Sequence, residues 1–410
     1  MKRKLKKFFP NKEYNNIVEA THLWKLIRKL TGLSVLTLES KEGNRIETRF
    51  SSLGFVFFLL WFTIYFYCTY KAHNEDQTIL RNIYSTKLQR YGDDFERITS
   101  IIYVLYSMWK LPFQISGNRL LLQEIVDIDK AIESVGVTID YKKNATFALF
   151  IYIGQIATYL FRLFCVWGCL GNLNSPVPVE KLYQDIFTDA LSLLLTSQYC
   201  FSLVILRDRC RYINKILCGI ENRESSRLRL FVYSSMPGAE KDITCRKIKD
   251  CSKIYGMIYK AVESTNITYG FALVLTMLLY LIFIILYMFY FMEATAAGLF
   301  LDTKKYIDFL ICVLSELLHA MLIIFLNIYF SEETVKETRT TSFVIHGIIN
   351  SDFNTQAKTE AIHFSTQLLH QIPKFTASGL VELNYSLLYE GGRMVFTYLI
   401  IMLQFVTERN

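Results

Sequence analysis

Residues 268–292 read TYGFALVLTMLLYLIFIILYMFYFM, twenty-five consecutive positions without one charged side chain. A helix needs about 20 mostly apolar residues to cross the hydrocarbon core of a bilayer, so this stretch predicts a membrane-spanning helix. Hydrophobic residues make up 52% of the 410 residues and charged residues 20%, and the charges are crowded into a few segments. That segregation is typical of a protein with several spans joined by polar loops.

Six further spans lie on either side of this stretch. The one at 98–115 is the least apolar, because it contains Lys110 and Pro112. The sequence therefore predicts an all-α fold, a polytopic membrane protein with seven transmembrane helices. The predicted spans are 51–70, 98–115, 146–169, 183–206, 268–292, 306–330 and 384–405. No apolar segment lies close to Met1, so we expect the first span to act as its own signal and anchor.

Lys and Arg are distributed unequally between the two sides of the membrane. The N-terminal segment and the second, fourth and sixth loops hold 12, 4, 13 and 4 of them. The other three loops and the C-terminal tail hold 5, 1, 2 and 1. Because loops rich in Lys and Arg stay in the cytoplasm, we expect a cytoplasmic N terminus and an extracellular C terminus, the reverse of a G-protein-coupled receptor. The net charge of +8 follows from these topology signals, and no nucleic-acid partner is predicted.

The spans divide the chain into four regions. Residues 1–50 form a cytoplasmic segment, and its basic start at residues 2–7 is either a topology signal or a site for anionic membrane lipid. Residues 51–330 hold spans one to six, with a cytoplasmic helical loop at 206–267 that opens as an extension of the fourth helix. Residues 331–383 are predicted to form cytoplasmic anchor-type helices. Residues 384–410 form the seventh span and a short extracellular tail.

The anchor region contains the segment AIHFSTQLLHQI, residues 361–372. Its apolar residues recur at helical spacing, which predicts a helix that supplies internal packing or subunit contacts. The predicted apolar face consists of Ile362, Leu368, Leu369 and Ile372.

The seventh span, SLLYEGGRMVFTYLIIMLQF at 386–405, carries a polar stripe with intervals of four, three, four, three and four residues. This heptad spacing puts the whole stripe on one face of a helix. Polar groups that face lipid are costly, so the face meets either neighbouring helices or, with copies from other subunits, a water-filled pore. Glu390 and Arg393 are three residues apart and can pair along the helix. The stripe is Ser386, Glu390, Arg393, Thr397, Ile400 and Gln404.

The end of this span resembles a family signature. Thr397-Tyr398, five apolar residues and Gln404-Phe405 are similar to the Thr-Tyr-(five apolar)-Gln-Phe motif of insect gustatory receptors. Upstream, LLHQ at 368–371, FTASGL at 375–380 and SLL at 386–388 resemble the family's approach to this span. The resemblance covers about forty residues, in the family's order and at its distance from the C terminus.

The resemblance implies a ligand-gated nonselective cation channel in the plasma membrane of chemosensory neurons. It implies a homo- or heterotetramer with other gustatory receptors, with the seventh helices around a central pore, and favours the pore interpretation of the stripe. Gln404 and Phe405 would form the outer constriction, with Thr397 and Tyr398 just below it. Sugar-sensing members often carry Glu after the motif tyrosine; Leu399 stands there in this chain, which favours a bitter-type tastant.

The resemblance also places a ligand pocket in the outer half of spans one to six. Aromatic walls with a few polar groups suit a small organic tastant, and six residues at that depth are candidates to line the pocket. They are Tyr106, Arg162, Trp167, Asp189, Tyr290 and Asp308. Arg162 either contacts the ligand, pairs with Asp189 inside the bundle, or extends towards the membrane surface. Glu316 and His319, on the sixth span, predict a satisfied polar pair rather than a metal site, because no second copy of the motif exists.

Other functional classes find little support. The chain has no HExxH, P-loop, GxSxG or CxxC motif, so no enzyme activity, metal or cofactor is predicted. We expect the nine cysteines to be free, with a Cys68–Cys169 disulfide as the alternative. The sequons at Asn144, Asn266 and Asn384 fall on the predicted cytoplasmic side and are predicted to be unmodified. The alternatives to a gustatory channel are an insect odorant receptor channel and a seven-helix receptor without its own pore.

Overall fold

The structure is a computed structural model that describes residues 14, 16–41, 45–75, 77, 87–113, 115–172, 178–229, 239–296, 303–351, 353 and 355–407. Within these residues the chain forms eleven helices and two short antiparallel hairpins. The helices are α1 Ile17–Ala20, α2 His22–Leu30, α3 Ser52–Asn74, α4 Lys87–Phe113, α5 Ser116–Ser134, α6 Tyr141–Asn172, α7 Val179–Arg229, α8 Ala239–Ala296, α9 Thr303–Asn350, α10 Thr355–His370 and α11 Tyr385–Thr407. The strands are β1 Leu36–Lys41, β2 Arg45–Phe50, β3 Thr376–Ala377 and β4 Val381–Glu382.

Helix α7 is the centre of the bundle. In its most apolar stretch 89% of the residues are buried, against 22% in the corresponding stretches of α3 and α6. Tyr199 and Leu203 are fully buried, and α3, α8 and α9 all pack against the helix. This stretch contains many polar side chains, among them Thr196, Ser197 and Gln198. Polar groups that face lipid are costly, which explains why α7 lies inside while the more apolar α3 and α6 present apolar side chains outward.

Five helices of the described ranges are long and apolar enough to cross a membrane. They contain the predicted first, third, fourth, fifth and sixth spans. The predicted second and seventh spans fall within α4 and α11, which are helical but less apolar. In α11 the cause is the polar stripe, and in α4 it is the charged first half of the helix. The five helices comprise Ser52–Asn74, Tyr141–Asn172, Val179–Glu221, Ile243–Thr295 and Thr303–Asn350.

Three helices run far past the ends of the predicted spans. Helix α7 continues from residue 206 to Arg229, which confirms the predicted extension of the fourth helix. Helix α8 begins about thirty residues before residue 268, and α9 passes residue 330 without a break and ends at Asn350. The predicted boundary between the sixth span and the anchor region, after residue 330, therefore falls inside α9.

Helix α10 is the helix predicted in the anchor region, and one of the four residues of its predicted apolar face packs within its own subunit. Leu368 is buried together with Ala357, Ala361 and Phe364, on the side that packs against α8 and α9. Ile362, Leu369 and Ile372 are 51%, 71% and 52% exposed. The smaller alanines take the inner side because two long helices approach it closely.

The hairpin of β1 and β2 was not predicted. Its strands pair from Leu36 opposite Phe50 to Lys41 opposite Arg45, and Ile46 is its best-buried residue in β2. The Ile46 N–H donates to Gln123 Oε1 of α5 at 3.0 Å, which ties the hairpin to the bundle. LTLES alternates apolar and polar residues with the period of a strand, so the signal was present in the predicted cytoplasmic segment.

The second hairpin, β3–β4, leads the chain into α11. Asn266 of α8 holds it by donating from Nδ2 to the Lys374 carbonyl at 2.7 Å and accepting from the Thr376 N–H at 3.1 Å. A Cβ at Gly270 would lie 2.7 Å from the Ser378 backbone nitrogen. This close approach requires glycine at position 270, because the neighbouring atom belongs to the backbone.

The sequon asparagines have structural partners. Asn144 is 2% exposed and donates to Asp208 Oδ2 at 3.1 Å. The Asn384 Oδ1 accepts from the Leu387 N–H at 3.2 Å and caps the start of α11. With Asn266 engaged at the hairpin, each of the three side chains has an internal role.

The nine cysteines are free, as predicted. Cys169 lies against Cys312 of α9 in a small buried cluster, whereas the alternative of a Cys68–Cys169 disulfide is absent from the structure. Both Cys68 and Cys169 are buried thiols within helices. The basic start at residues 2–7 lies outside the described residues.

Candidate functional site

Arg162 is surrounded by acidic partners inside the helix bundle. Its guanidinium on α6 pairs with the Asp189 carboxylate of α7, and its Nη2 lies 2.6 Å from Glu316 Oε2 of α9. The three residues are 8%, 2% and 6% exposed. The predicted pair between Arg162 and Asp189 is therefore present, and Glu316 extends it to a third helix.

Tyr280, Ser192 and His319 lie beside these three charged residues. We call the six together the core polar cluster: Arg162, Asp189, Glu316, Tyr280, Ser192 and His319. Tyr280 of α8 donates to Asp189 Oδ1 at 3.2 Å and also bonds the Ser192 hydroxyl. His319 Nε2 lies 3.8 Å from Asp189 Oδ1, which is too far for a hydrogen bond. Both nitrogens of this 5% exposed ring make no hydrogen bond to any described residue.

The core polar cluster is electrostatically unbalanced. One guanidinium faces two carboxylates, and a charge buried in the bundle costs several kcal/mol unless it is paired and hydrogen-bonded. Removing one partner of such a pair typically costs about 3–5 kcal/mol. The site therefore has spare acceptor capacity, and His319 adds two unused ring nitrogens beside it. A ligand group that donates hydrogen bonds or carries positive charge fits this arrangement.

The other predicted pocket residues lie elsewhere. Tyr290 is 2% exposed and donates to Asp93 Oδ1 of α4 at 2.8 Å. The Tyr106 ring lies against Phe271 with centroids 4.9 Å apart. Asp308, on α9, is only half-buried, and Trp167 is 58% exposed on the surface of α6. The structure thus unites Arg162 and Asp189 and separates the other four residues from them.

A second polar network, at the predicted outer end of the bundle, was missed. Lys181 Nζ lies 2.9 Å from Asp185 Oδ1 and 3.6 Å from Glu96 Oε1 of α4. Glu180 pairs with Lys71 of α3. Burial raises the pKa of Glu96 to about 7. The sequence signal was the i, i+4 spacing of Lys181 and Asp185, but Glu96 comes from a distant part of the chain.

An open groove lies beside this network, between α3 and α4. Its volume is about 530 Å³, within the range of small-molecule sites. The Arg97 guanidinium approaches His73 Nδ1 at 3.3 Å in its wall. None of the six predicted pocket residues lines it. Its walls are Phe66, Thr69, Tyr70, His73, Asp94, Arg97, Ile98 and Ile101.

A third network closes the opposite end of the bundle. Arg209 is fully buried, and its Nε and Nη2 donate to the two carboxylate oxygens of Asp129 at 2.8 and 2.9 Å. Tyr141 donates to the same carboxylate at 3.1 Å, and Arg209 Nη1 donates to Asn144 Oδ1 at 3.2 Å. Such bidentate pairing is strong and geometrically specific. In the sequence Arg209 counts as a topology signal, whereas in the structure it joins α5, α6 and α7.

Helix α11 presents its polar stripe away from the rest of the chain. All six stripe residues are exposed. The opposite side packs inward: Leu399 is 5% exposed and contacts α8 and α9 side chains together with Val395 and Met402. With 3.6 residues per turn, Val395, Leu399 and Met402 lie about half a turn around the helix from Thr397 and Ile400. The stripe is therefore on the exposed side of α11, opposite the side that packs against the described part of its own chain.

The two charged residues of the stripe and the two glycines between them have open surroundings. Neither Glu390 nor Arg393 forms an ion pair with a described residue, so the predicted pair is absent within one chain. Beyond the helix's own backbone, no described atom lies within 4 Å of a Cβ added at Gly391 or Gly392. The Phe405 side chain lies outside the described residues. The exposed face leaves room for another helix or for water.

Residues 26–408, nearly the whole chain, match the family model described as 7tm chemosensory receptor. The chain belongs to the 7tm chemosensory receptor family. The receptor is similar to the candidate gustatory receptors 28a and 28b of Drosophila melanogaster. It is 22% identical to 28a over 96% of this chain and 94% of the relative, and 21% identical to 28b over 100% and 89%. The resemblance to insect gustatory receptors is confirmed.

Solved structures of the olfactory receptor OR5 from the insect Machilis hrabei share the fold of this receptor. The eugenol complex aligns with a TM-score of 0.64 at 12% identity, covering 95% of this chain and all of that chain. A second OR5 structure gives 0.60 at 13% identity, over 94% and 99%. The likeness therefore covers nearly the whole of this chain.

Proposed function

We propose that the receptor is a ligand-gated nonselective cation channel whose subunits assemble with α11 around a common axis. One observation carries the proposal: the polar stripe of α11 is exposed and lies opposite the side that packs against its own subunit. Facing lipid, Glu390 and Arg393 would be costly. Facing other copies across a water-filled axis, they are solvated, and the face becomes a pore lining.

The proposed topology has seven spans, with α4 and α11 as the second and seventh. The bias of Lys and Arg supports a cytoplasmic N terminus and an extracellular C terminus. A span with one wet face is less apolar than one surrounded by lipid, which accounts for the composition of α11. In this orientation the extensions of α7, α8 and α9 lie in the cytoplasm and, with α10, form the anchor.

Along the proposed pore the stripe changes character from inside to outside. Glu390 and Arg393 lie towards the cytoplasm, with Thr397 and Ile400 further out. Gln404 and Phe405 form the outer constriction. The proposed assembly is a tetramer, homomeric or with other gustatory receptors. A homotetramer would place four Arg393 side chains near the axis, and pairing with Glu390 of an adjacent subunit would offset their repulsion of cations.

The proposed ligand is a small organic tastant bound in the outer half of spans one to six. The core polar cluster supports this location, because His319 has unused hydrogen-bonding capacity and the carboxylates outnumber the cations. The structurally similar receptor OR5 was solved in complex with eugenol, and this complex supports a small organic ligand for the present receptor. We favour a bitter-type tastant over a sugar, since Leu399 stands where sugar-sensing members carry Glu and is packed among apolar side chains.

The channel proposal is tested by expressing the receptor in a cell line and recording currents during perfusion of bitter compounds and sugars. In the Gln404→Ala variant, ligand-evoked current should persist with altered ion permeation, because the side chain at the outer constriction has changed. A second-messenger response without direct current, abolished by blocking G proteins, would support the alternative of a receptor without its own pore.

A cysteine scan of α11 distinguishes a pore lining from a packed helix. Thr397→Cys, on the stripe, should be blocked by a membrane-impermeant cationic thiol reagent applied from outside during ligand. The matched control is Phe396→Cys on the same helix: Phe396 is 67% exposed in the single chain but off the stripe, and should not be blocked. Equal block at both positions, or at neither, contradicts a pore lined by the stripe.

A further inference from the structure

A small cavity lies where α2 meets the bundle. Its volume is about 120 Å³, and its walls come from α2, the start of β1, α5, α7 and α8. Ile115, Ile205 and Tyr269 in its wall are at or next to the predicted cytoplasmic ends of the second, fourth and fifth spans. The cavity, which we call the inner cavity, is therefore at the level of the inner lipid headgroups.

Both charged residues that line the inner cavity are cationic, Lys25 and Arg28. The Arg28 Nη2 donates to the carbonyls of Leu33 and Leu111 at 3.1 Å each, and no described carboxylate forms an ion pair with it. Burial lowers the pKa of Arg28, and it lowers the pKa of Lys25 despite the nearby Glu39 and Glu19. Both half-buried cations are thus partly desolvated without full compensation by protein charge.

Two buried donors in this wall also lack partners. Gln198 is 7% exposed, and its Nε2 makes no hydrogen bond to a described residue. The Arg28 Nε is also buried and makes no hydrogen bond to a described residue. A buried donor without a partner costs about 1–3 kcal/mol. Gln198 and Arg28 come from different helices and line the same space, so one anion between them would satisfy both donors.

The remaining wall is mainly apolar, and the surroundings face the membrane. Leu26 and Leu30 on the outer side of α2 are 46% and 47% exposed. The Trp61 indole of α3 donates to the Leu30 carbonyl at 3.0 Å, which holds the end of α2 against the first predicted span. A short helix with leucines outward and cations inward lies in the interface plane of a membrane. The combination of anion donors with apolar wall fits an amphiphile better than a free anion.

We propose that the inner cavity binds the headgroup phosphate of an anionic phospholipid from the inner leaflet, held by Lys25, Arg28 and Gln198, with the acyl chains leaving along Leu26 and Leu30. The bound lipid would join α2 to α7 and so fix the N-terminal segment against the bundle. This site is separate from the ligand pocket and from the pore, and its occupancy does not depend on channel activity.

The test uses the purified full-length receptor in mild detergent. Melting temperature is measured during titration with phosphatidylglycerol, with phosphatidylcholine of the same chains, and with inorganic phosphate. Phosphatidylglycerol should raise the melting temperature saturably, and the other two should not. Equal stabilisation by phosphatidylcholine overturns the role of charge, and equal stabilisation by inorganic phosphate overturns a lipid site in favour of a free anion.

Variants locate the site. Lys25→Gln should weaken the apparent affinity for phosphatidylglycerol about tenfold, the worth of one charge-assisted hydrogen bond. Gln198→Leu should weaken it as well, while leaving every charge in place. The matched control is Lys29→Gln, which removes the same charge from the same helix but lies outside the cavity wall. If Lys29→Gln weakens binding as much as Lys25→Gln, the attraction is diffuse surface electrostatics and the proposal is overturned.

Discussion

At the scale of single residues, the buried charges show what a sequence can and cannot reveal. Arg162 and Asp189 stood out because charged residues inside apolar spans are rare and need partners. Their pairing was one of the stated alternatives and is present. The contribution of Glu316 could not be predicted, since it depends on how α9 packs against α6. Glu96 was missed for a similar reason: its partner Lys181 lies 85 positions away in the chain.

Glu96 gives the receptor a specific pH dependence of stability. Its carboxyl faces Lys181 and Asp185 of α7, Glu316 of α9 and Asp93 of its own helix, and burial raises its pKa from 4.5 to about 7. The folded state therefore binds the proton more tightly than the unfolded state. The associated stability is fully present below about pH 4.5 and is lost as pH rises through about 7.

We expect Glu96→Gln, which imitates the protonated side chain, to remove this dependence. The melting temperature of the wild type in detergent should fall relative to the variant between pH 5 and pH 8. The comparison needs no further control, because every titrating group other than Glu96 is common to the wild type and the variant. Melting curves that stay parallel across this range would rule out the assigned titration.

At the scale of elements, helices were predicted far better than strands. The heptad stripe of α11 could be predicted because its spacing is local, whereas its exposure depends on which side of α11 packs against the subunit. The ends of α7, α8 and α9 could not be predicted, because the helical backbone continues without a break where the apolar span passes into an amphipathic segment. The strands β1 and β2 are short and lie in a charged segment, so topology signals obscured their alternation. The inward face of α10 depends on alanines, which carry little hydrophobic signal.

The hairpin β3–β4 is expected to be sensitive to one methyl group. Gly270→Ala would place a Cβ 2.7 Å from the Ser378 nitrogen, and displacing backbone in a packed site costs about 1–3 kcal/mol. The melting temperature and the surface expression should both fall. The matched control is Gly154→Ala on α6, where an added Cβ meets no atom within 4 Å and the helix gains up to about 1 kcal/mol. Equal behaviour of the two variants would contradict the close approach.

At the scale of the whole molecule, one chain leaves two kinds of surface uncovered. One is the polar stripe of α11, and the other is the apolar outer side of α10, where Ile362 and Leu369 are exposed. The role of these anchor residues in subunit contacts stays a prediction. Neither surface can be judged from the sequence of a single span, because both depend on which side the first subunit has already used.

Leu369→Glu should disrupt the proposed assembly. A charge at a 71% exposed leucine does not disturb the subunit's own core, but it opposes burial against another copy. Light scattering of the detergent-solubilised receptor should shift from a tetramer towards monomer. His363→Glu, exposed on the same helix about a third of a turn away, is the control and should remain tetrameric. A Leu369→Glu variant with unchanged mass would show that α10 is not at the subunit contact.

Helix α9 also has a mechanical consequence. Its 48 residues extend about 72 Å at 1.5 Å per residue, more than twice the roughly 30 Å hydrocarbon core. The helix contains no proline that would kink it, so we expect it to move as one rigid element. Glu316, near one end, holds Arg162, and Glu337, further along, holds Arg211 at 2.8 Å. If the proposed ligand displaces Glu316, we expect the resulting tilt of α9 to reach the far end of the helix, which packs against α10.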